Sequence, residues 1–314
     1  MYGADVAYIA LVAADVEAAA RIFEKDYELK RSTKKFDGRD VPMLSVGKTA
    51  LAIFAPGDPY VDNTPHTGVH HVALAVDDLD NAMNDITKRG VAFENGKVEK
   101  SLDDGKRALL SLKATNGIRT YVSSKVDRKA AEGGFIERID HLGIMGTDNP
   151  TCLDTYCKRL GLELTGEQFD TEIQTPIEHF IYRNQRTERV VTHTRQSEVV
   201  ANVHDLFILA GDWDLEIIQP MNTTKVSRAS GERAGDTMQD HGVVDQFLKA
   251  RGPGLHHIAF KVTDINRHLK RLEDAGHRLI DKVGRRGARL SHIGFIHPSS
   301  TQKILTHLVE RPDL

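Results

Sequence analysis

One pattern constrains this chain more than any other: a strand–Asp–helix signature that occurs four times. The copies are "YIALVAADVEAAARIF" from Tyr8, "HVALAVDDLDNAMNDI" from His71, "HLGIMGTDNPTCLDTY" from His141 and "HIAFKVTDINRHLKRL" from His257. In each, an Asp follows the first residue by the same offset: Asp15, Asp78, Asp148 and Asp264. A short apolar run reads as a strand, and Asp is a strong N-cap for the helix that follows. Gly90, Gly161 and Gly276 then mark three of the helix ends. Strand-like text follows each helix, as in "TALAIFAP", "RALLSLKA", "DWDLEIIQP" and "KILTHLVE". The repeating unit is therefore one strand, one helix and about three strands. An internal repeat of this kind sets the fold before any other feature does. The fold class expected is α+β: four βαβββ modules paired into two domains.

The pairing places an N-terminal domain at 1–127 and a C-terminal domain at 137–314, with a break in the charged, Gly-containing "SKVDRKAAEGGFIE". The third module is the longest. Its extra text, at about 166–200 and 221–250, reads as loops or lids. The 314 residues carry a formal net charge of -3 and no long basic run, which argues against nucleic acid as a partner. No segment approaches a membrane span, and the apolar opening "VAYIALVAA" lacks a basic leader, so no signal peptide is expected. Cys152 and Cys157 lie on one expected helix. They form no disulfide framework, which fits a reducing cytoplasm.

The four-module layout resembles the vicinal oxygen chelate (glyoxalase/extradiol dioxygenase) superfamily, in which paired βαβββ modules form a cupped sheet around a metal ion. The segments "FLKARGPGLHHIAFKVTDI" and "GARLSHIGFIHPSST" look very like methylmalonyl-CoA epimerase. The layout as a whole looks like the extradiol ring-cleaving dioxygenases and hydroxyphenylpyruvate dioxygenase, whose N-terminal module pair has lost its metal. The resemblance implies ligands at the start of each module's first strand and in its last strand. Carried over, these positions are His141, Glu216, His257 and His307, the last where the family usually has Glu. Clusters of His and carboxylate are the usual ligand pattern for divalent metals. Fe(II) is the metal expected, with Mn, Co, Ni or Zn as other fits. The matching N-terminal positions hold Tyr8, Ala52, His71 and either Thr120 or Tyr121, so that half is expected to be structural and metal-free.

Strict strand alternation places His256 on the face opposite His257, in a structural or solvated role. A shifted last strand bringing Glu310 inward is the weaker alternative to His307, because the two positions fall on opposite faces. Catalytic acid/base candidates are His204, within an apolar strand, and His297, before Pro298; His292 is a further neighbour. Arg289, with Arg285 and Arg286 in "GRRGARLSH", is a candidate for binding an anionic substrate group, and His193 is a further substrate-binding candidate. The resemblance implies a metal-dependent, extradiol-type dioxygenase of aromatic catabolism, acting with O₂ on a polyhydroxylated aromatic. The alternative is a redox-neutral epimerase, isomerase or lyase. Either would act on a small molecule in the cytoplasm, as a homodimer.

Overall fold

The computed structural model describes residues 2–3, 5–129, 131, 134–170, 203–221 and 243–312. The first half contains β1 (Val6–Val12), α1 (Val16–Lys25), β2 (Lys30–Phe36), β3 (Arg39–Val46), β4 (Thr49–Phe54), β5 (Gly68–Val76), α2 (Leu79–Lys88), β6 (Phe93–Lys100), β7 (Lys106–Leu110) and β8 (Thr120–Ser124). The second contains β9 (Arg138–Met145), α3 (Asn149–Cys152, continued by a π-helical turn, Leu153–Arg159), β10 (Leu164–Asp170), β11 (Val203–Ala210), β12 (Trp213–Pro220), α4 (Val243–Arg251), β13 (Gly254–Lys261), α5 (Ile265–Asp274), β14 (Arg285–Arg286), β15 (His292–Ile296) and β16 (Thr306–Glu310). The order is that of four βαβββ modules, and α4 is an additional helix before the fourth.

Each half forms one mixed eight-stranded sheet, ordered β2-β3-β4-β1-β5-β8-β7-β6 and β10-β11-β12-β9-β13-β16-β15-β14. The two first strands of each half pair antiparallel at the centre, β1 with β5 and β9 with β13. Each also pairs parallel with the last strand of its own module, for example β9 with β12 and β13 with β16. Asp15, Asp78, Asp148 and Asp264 each accept a backbone N–H from the third residue of their helices, as the constant offset predicts. No helix among the described residues is long and apolar enough to cross a membrane.

The helix-bearing faces of both sheets share one apolar core, running from Val6 through Phe23, Ile144 and Phe260 to Leu308. Two tyrosines stitch it across the halves. Tyr27, just after α1, bonds Thr306 of β16 at 3.0 Å. Tyr156, from the third module, bonds Thr120 of β8 at 2.7 Å. The opposite, concave face of the N-terminal sheet holds a second cluster that includes Tyr8, Ala10, Met43, Ala52, Phe54, Tyr60 and Tyr121. That cup is filled by its own side chains. The equivalent face of the C-terminal sheet is lined differently.

Candidate metal centre

Strand register brings four of the expected residues to one place. Glu216 pairs with Gly143, His257 with Gly143, and both His141 and His307 with Ala259. Directly opposed residues share a face, so His141, Glu216, His257 and His307 all project from the concave side. All four are buried. Ligand atoms of His141, His257 and His307 lie within 4.8 Å of one another, a group able to hold a metal ion. Nε2 of His307 is 3.1 Å from Nε2 of His141. Glu216 Oε2 is 3.0 Å from Nε2 of His141 and 3.9 Å from Nε2 of His257. Neighbouring donors on an ion bound at ~2.1 Å stand roughly 3.0–3.4 Å apart, so the His141–His307 and His141–Glu216 spacings suit a shared ion and the His257–Glu216 spacing is wider.

The electrostatics point the same way. Nε2 of His257 and Nδ1 of His307 are buried without a hydrogen-bond partner among the described residues. Such groups are costly unless something pairs with them. Burial, then the neighbouring histidines, holds both rings well below the usual imidazole range, so they stay neutral and ready to ligate. Burial opposes charge on His141 as well, but the Glu216 and Asp140 carboxylates outweigh it and push that ring up to about 10. A metal would replace the proton there. Asp140 accepts from Nδ1 of His141 at 2.8 Å and is itself held by Arg311 at 2.8 Å, leaving Nε2 aimed at the cluster. A carboxylate behind a histidine ligand is the usual outer shell of a metal site.

Two features of this site were not legible in the sequence. The first is Gly143: a Cβ there would overlap the His257 ring, so only glycine leaves room for it. The second is a pair of β-bulges. The pairing skips His256 on β13 and Asp140 on β9, because Leu255 and His257 face Ile144 and Gly143 while Ala259 and Phe260 face His141 and Ile139. A bulge suspends alternation. His256 therefore does not point away from the site; its Nδ1 lies 2.9 Å from Nδ1 of His257.

The remaining expectations separate. Arg289 donates to Asp214 at 2.7 Å and lies 4.7 Å over the Phe207 ring. Phe207 opposes Glu216, so Arg289 belongs to the wall of the same cup. His204 opposes Gln219, on the other face of β11 from Phe207, and bonds Glu167 at 2.8 Å. The structure does not bring it to the cluster. His297 is half-buried and caps the turn Pro298–Ser300 by accepting from Ser299 N. His292 opposes Glu310, and Glu310 accepts from Ile265 N at the start of α5, so neither faces the cluster. His193 lies outside the described residues. Phe295, which the sequence did not single out, opposes His307 and packs against it with ring centroids 4.3 Å apart and the planes tilted by 46°.

The N-terminal cup shows what the same framework does with other residues. Tyr121, not Thr120, occupies the position matching His307, since Ala73 faces Tyr121 as Ala259 faces His307. Arg107, another residue without a sequence signal, fills the centre. Its guanidinium donates to Nε2 of His71 at 3.2 Å and to Tyr60 O at 2.8 Å, and lies 4.2 Å over Tyr121. A fixed cation thus stands where the C-terminal cup gathers metal-ligating atoms.

Comparison with known proteins agrees with this architecture. The family model described as "Glyoxalase/Bleomycin resistance protein/Dioxygenase superfamily" matches residues 7–109 and 140–295. The uncharacterized protein YqjC of Bacillus subtilis is 33% identical over 108 residues, covering 34% of this chain and 65% of that protein. The mitochondrial methylmalonyl-CoA epimerase of Dictyostelium discoideum is 34% identical over 73 residues, covering 23% of this chain and 44% of that one. The chain thus spans less than two thirds of the length of either relative. Among solved structures, a triple mutant of 4-hydroxymandelate synthase from Streptomyces coelicolor superposes with a TM-score of 0.63 at 16% identity, covering 99% of this chain and 93% of that one. The Mn(II)-bound glyoxalase from Novosphingobium aromaticivorans gives 0.55 at 13% identity, covering 98% and 82%. Both share the fold across essentially the whole chain. With the family model matched over most of its length, the chain belongs to the glyoxalase/bleomycin resistance protein/dioxygenase superfamily, the vicinal oxygen chelate fold.

Proposed function

We propose that the chain is a metal-dependent enzyme that grips a small substrate through two adjacent oxygens in its C-terminal cup. Its reaction is a redox-neutral proton transfer of the epimerase, isomerase or lyase kind. The observation that carries this reading is the donor set. His307 stands where a ring-cleaving site would carry its carboxylate, and Glu216, beside the three-histidine group, reaches Nε2 of His141 at 3.0 Å and so can supply a fourth donor. Four protein donors leave two positions of an octahedral ion open. That suits two oxygens of one substrate but leaves none for O₂.

His141, His257, His307 and Glu216 would hold the ion, and imidazole with carboxylate suits Fe(II), Mn, Co, Ni or Zn. The ion supplies Lewis acidity to the substrate oxygens. The chain's own residues do the rest. Asp140 fixes the His141 ring. Phe295, against both His257 and His307, excludes water from that side. A carboxylate that ligates through one oxygen keeps the other, so Glu216 has the chemistry to move a proton beside the ion without leaving it. Arg289, seated on Phe207, offers a cation to an anionic substituent of the substrate.

The separation of 3.9 Å between His257 and Glu216 favours a second reading. With Glu216 off the ion, three histidines leave three positions, enough for a chelating catechol and O₂ in extradiol-type ring cleavage with Fe(II). The test uses protein purified without air, analysed for metal. Oxygen-electrode assays on catechols and trihydroxybenzenes run beside solvent-deuterium exchange into acyl thioesters and ketones. Exchange without O₂ uptake is expected. Substrate-dependent O₂ uptake overturns it in favour of ring cleavage, and protein that takes up no divalent ion sinks both.

A further inference from the structure

The unabsorbed feature of the cup is the residue before His257. We propose that His256 is a positioning residue: its Nδ1 accepts the Nδ1–H of His257 and so fixes the lone pair of His257 Nε2 on the metal-ligating cluster. This rests on reading the cluster as a metal site.

The geometry is specific. The bulge at His256 brings the two Nδ1 atoms to 2.9 Å, with the rings at 82°. The His256 ring is braced edge-on against Phe247 of α4, with centroids 4.8 Å apart. Of two neutral rings joined through Nδ1, one must donate and the other accept. Nε2 of His257 has no partner among the described residues and faces Glu216 and the other histidines. A lone pair is useful there and a proton is not. The proton therefore belongs on Nδ1 of His257, pointing at His256.

The N-terminal half contains an independent copy of this device. The pairing of β1 and β5 skips His70 as that of β9 and β13 skips His256. Nδ1 of His70 lies 2.7 Å from Nδ1 of His71, with the rings at 79°. There the tautomer is settled by chemistry. Arg107 can only donate, so Nε2 of His71 must accept. The neutral His71 then carries its proton on Nδ1 and gives it to His70. Arg107 plays toward His71 the electrophilic part that an ion would play toward His257. On β9 the bulged residue is Asp140, doing the same for His141. Each histidine ligand from a central strand is thus oriented by the residue just before it, which sequence alternation alone forbids.

The test compares the full-length His256→Leu, His256→Asn and His257→Ala variants with wild type. Co(II) affinity is measured by chelator competition and the ligand field by the visible Co(II) spectrum. Loss of an outer-shell partner typically weakens metal binding about 10–100-fold. His256→Leu is expected to show that loss with an altered spectrum. His256→Asn, whose amide oxygen can accept, is expected to recover most of it. If His257→Ala loses Co(II) while His256→Leu binds as tightly as wild type, the positioning role is wrong and the metal site stands. If His257→Ala binds normally, the metal site itself is wrong. Should His256→Leu fail to fold, the ¹⁵N shifts of His257 in wild-type protein decide: a protonated Nδ1 is expected, and a protonated Nε2 overturns the proposal.

Discussion

Gly143→Ala is a one-carbon test of the cup. Gly143 faces His257 across β9 and β13 on the concave side, and its backbone lies outside the left-handed region, so alanine is acceptable to the main chain. The added Cβ would overlap three atoms of the His257 ring. Ordinary carbon contacts need ~3.5 Å, so the ring would have to retreat by roughly 1 Å or more. It has little room: His307 and Phe295 lie 4.9 and 5.5 Å away, centroid to centroid, and His256 tethers its Nδ1. Overpacking of this kind costs about 1–3 kcal/mol of stability. A ~1 Å misplacement at a reacting centre is enough to lose about 100-fold in rate, and we expect metal affinity to fall by a similar factor. Urea unfolding measures the first quantity and chelator competition the second. The N-terminal half supplies a control, because Ala10 faces His71 in the same register and a Cβ is accommodated there. Ala10→Gly should leave metal affinity unchanged. Gly143→Ala protein that is destabilised yet binds metal like wild type would refute the claim that this glycine exists to seat a ligand.

Two predictions concern the N-terminal cup. Arg107→Ala removes a buried cation that His71, Tyr60 O and Glu99 all engage. Breaking such a set should cost about 3–5 kcal/mol in urea unfolding without changing metal content, and an unshifted midpoint contradicts it. His70 should make the fold acid-sensitive. Burial lowers its folded pKa from 6.5 to about 4, with Asp62 only partly opposing. The unfolded chain then takes up the proton first, so the contribution is present above pH 6.5 and is lost as pH falls toward 4. The shift is worth roughly 3 kcal/mol at most. His70→Gln should flatten unfolding free energy over that window by up to this amount; an unchanged pH slope would show that His70 is not the group responsible.

The sequence revealed most where the physics is local. Capping aspartates at a constant offset located the four first strands and set the register of His141 and His257, while Glu216 and His307 followed from the family resemblance. Alternation also ranked Glu310 below His307, and the structure turns Glu310 away from the cluster. What stayed hidden depends on partners distant in sequence. A bulge exists only relative to a neighbouring strand, so His256 and Asp140 were invisible as orienting groups. His204 sits in an apolar strand like a site residue, but only the pairing with Gln219 reveals which face it takes. Gly143 and Arg107 carry no motif: one matters for the space it leaves, the other for the charge it brings to a cup whose ligand positions hold Tyr8, Ala52 and Tyr121.

On the reading proposed above, one cup binds a metal and the other carries its own cation. Metal stoichiometry by inductively coupled plasma mass spectrometry tests it most directly, on the full-length chain and on His141→Ala, His257→Ala and His71→Ala. One divalent ion per chain is expected, lost in the first two variants and kept in the third. Two ions per chain, or one that survives His141→Ala and His257→Ala but not His71→Ala, would contradict it.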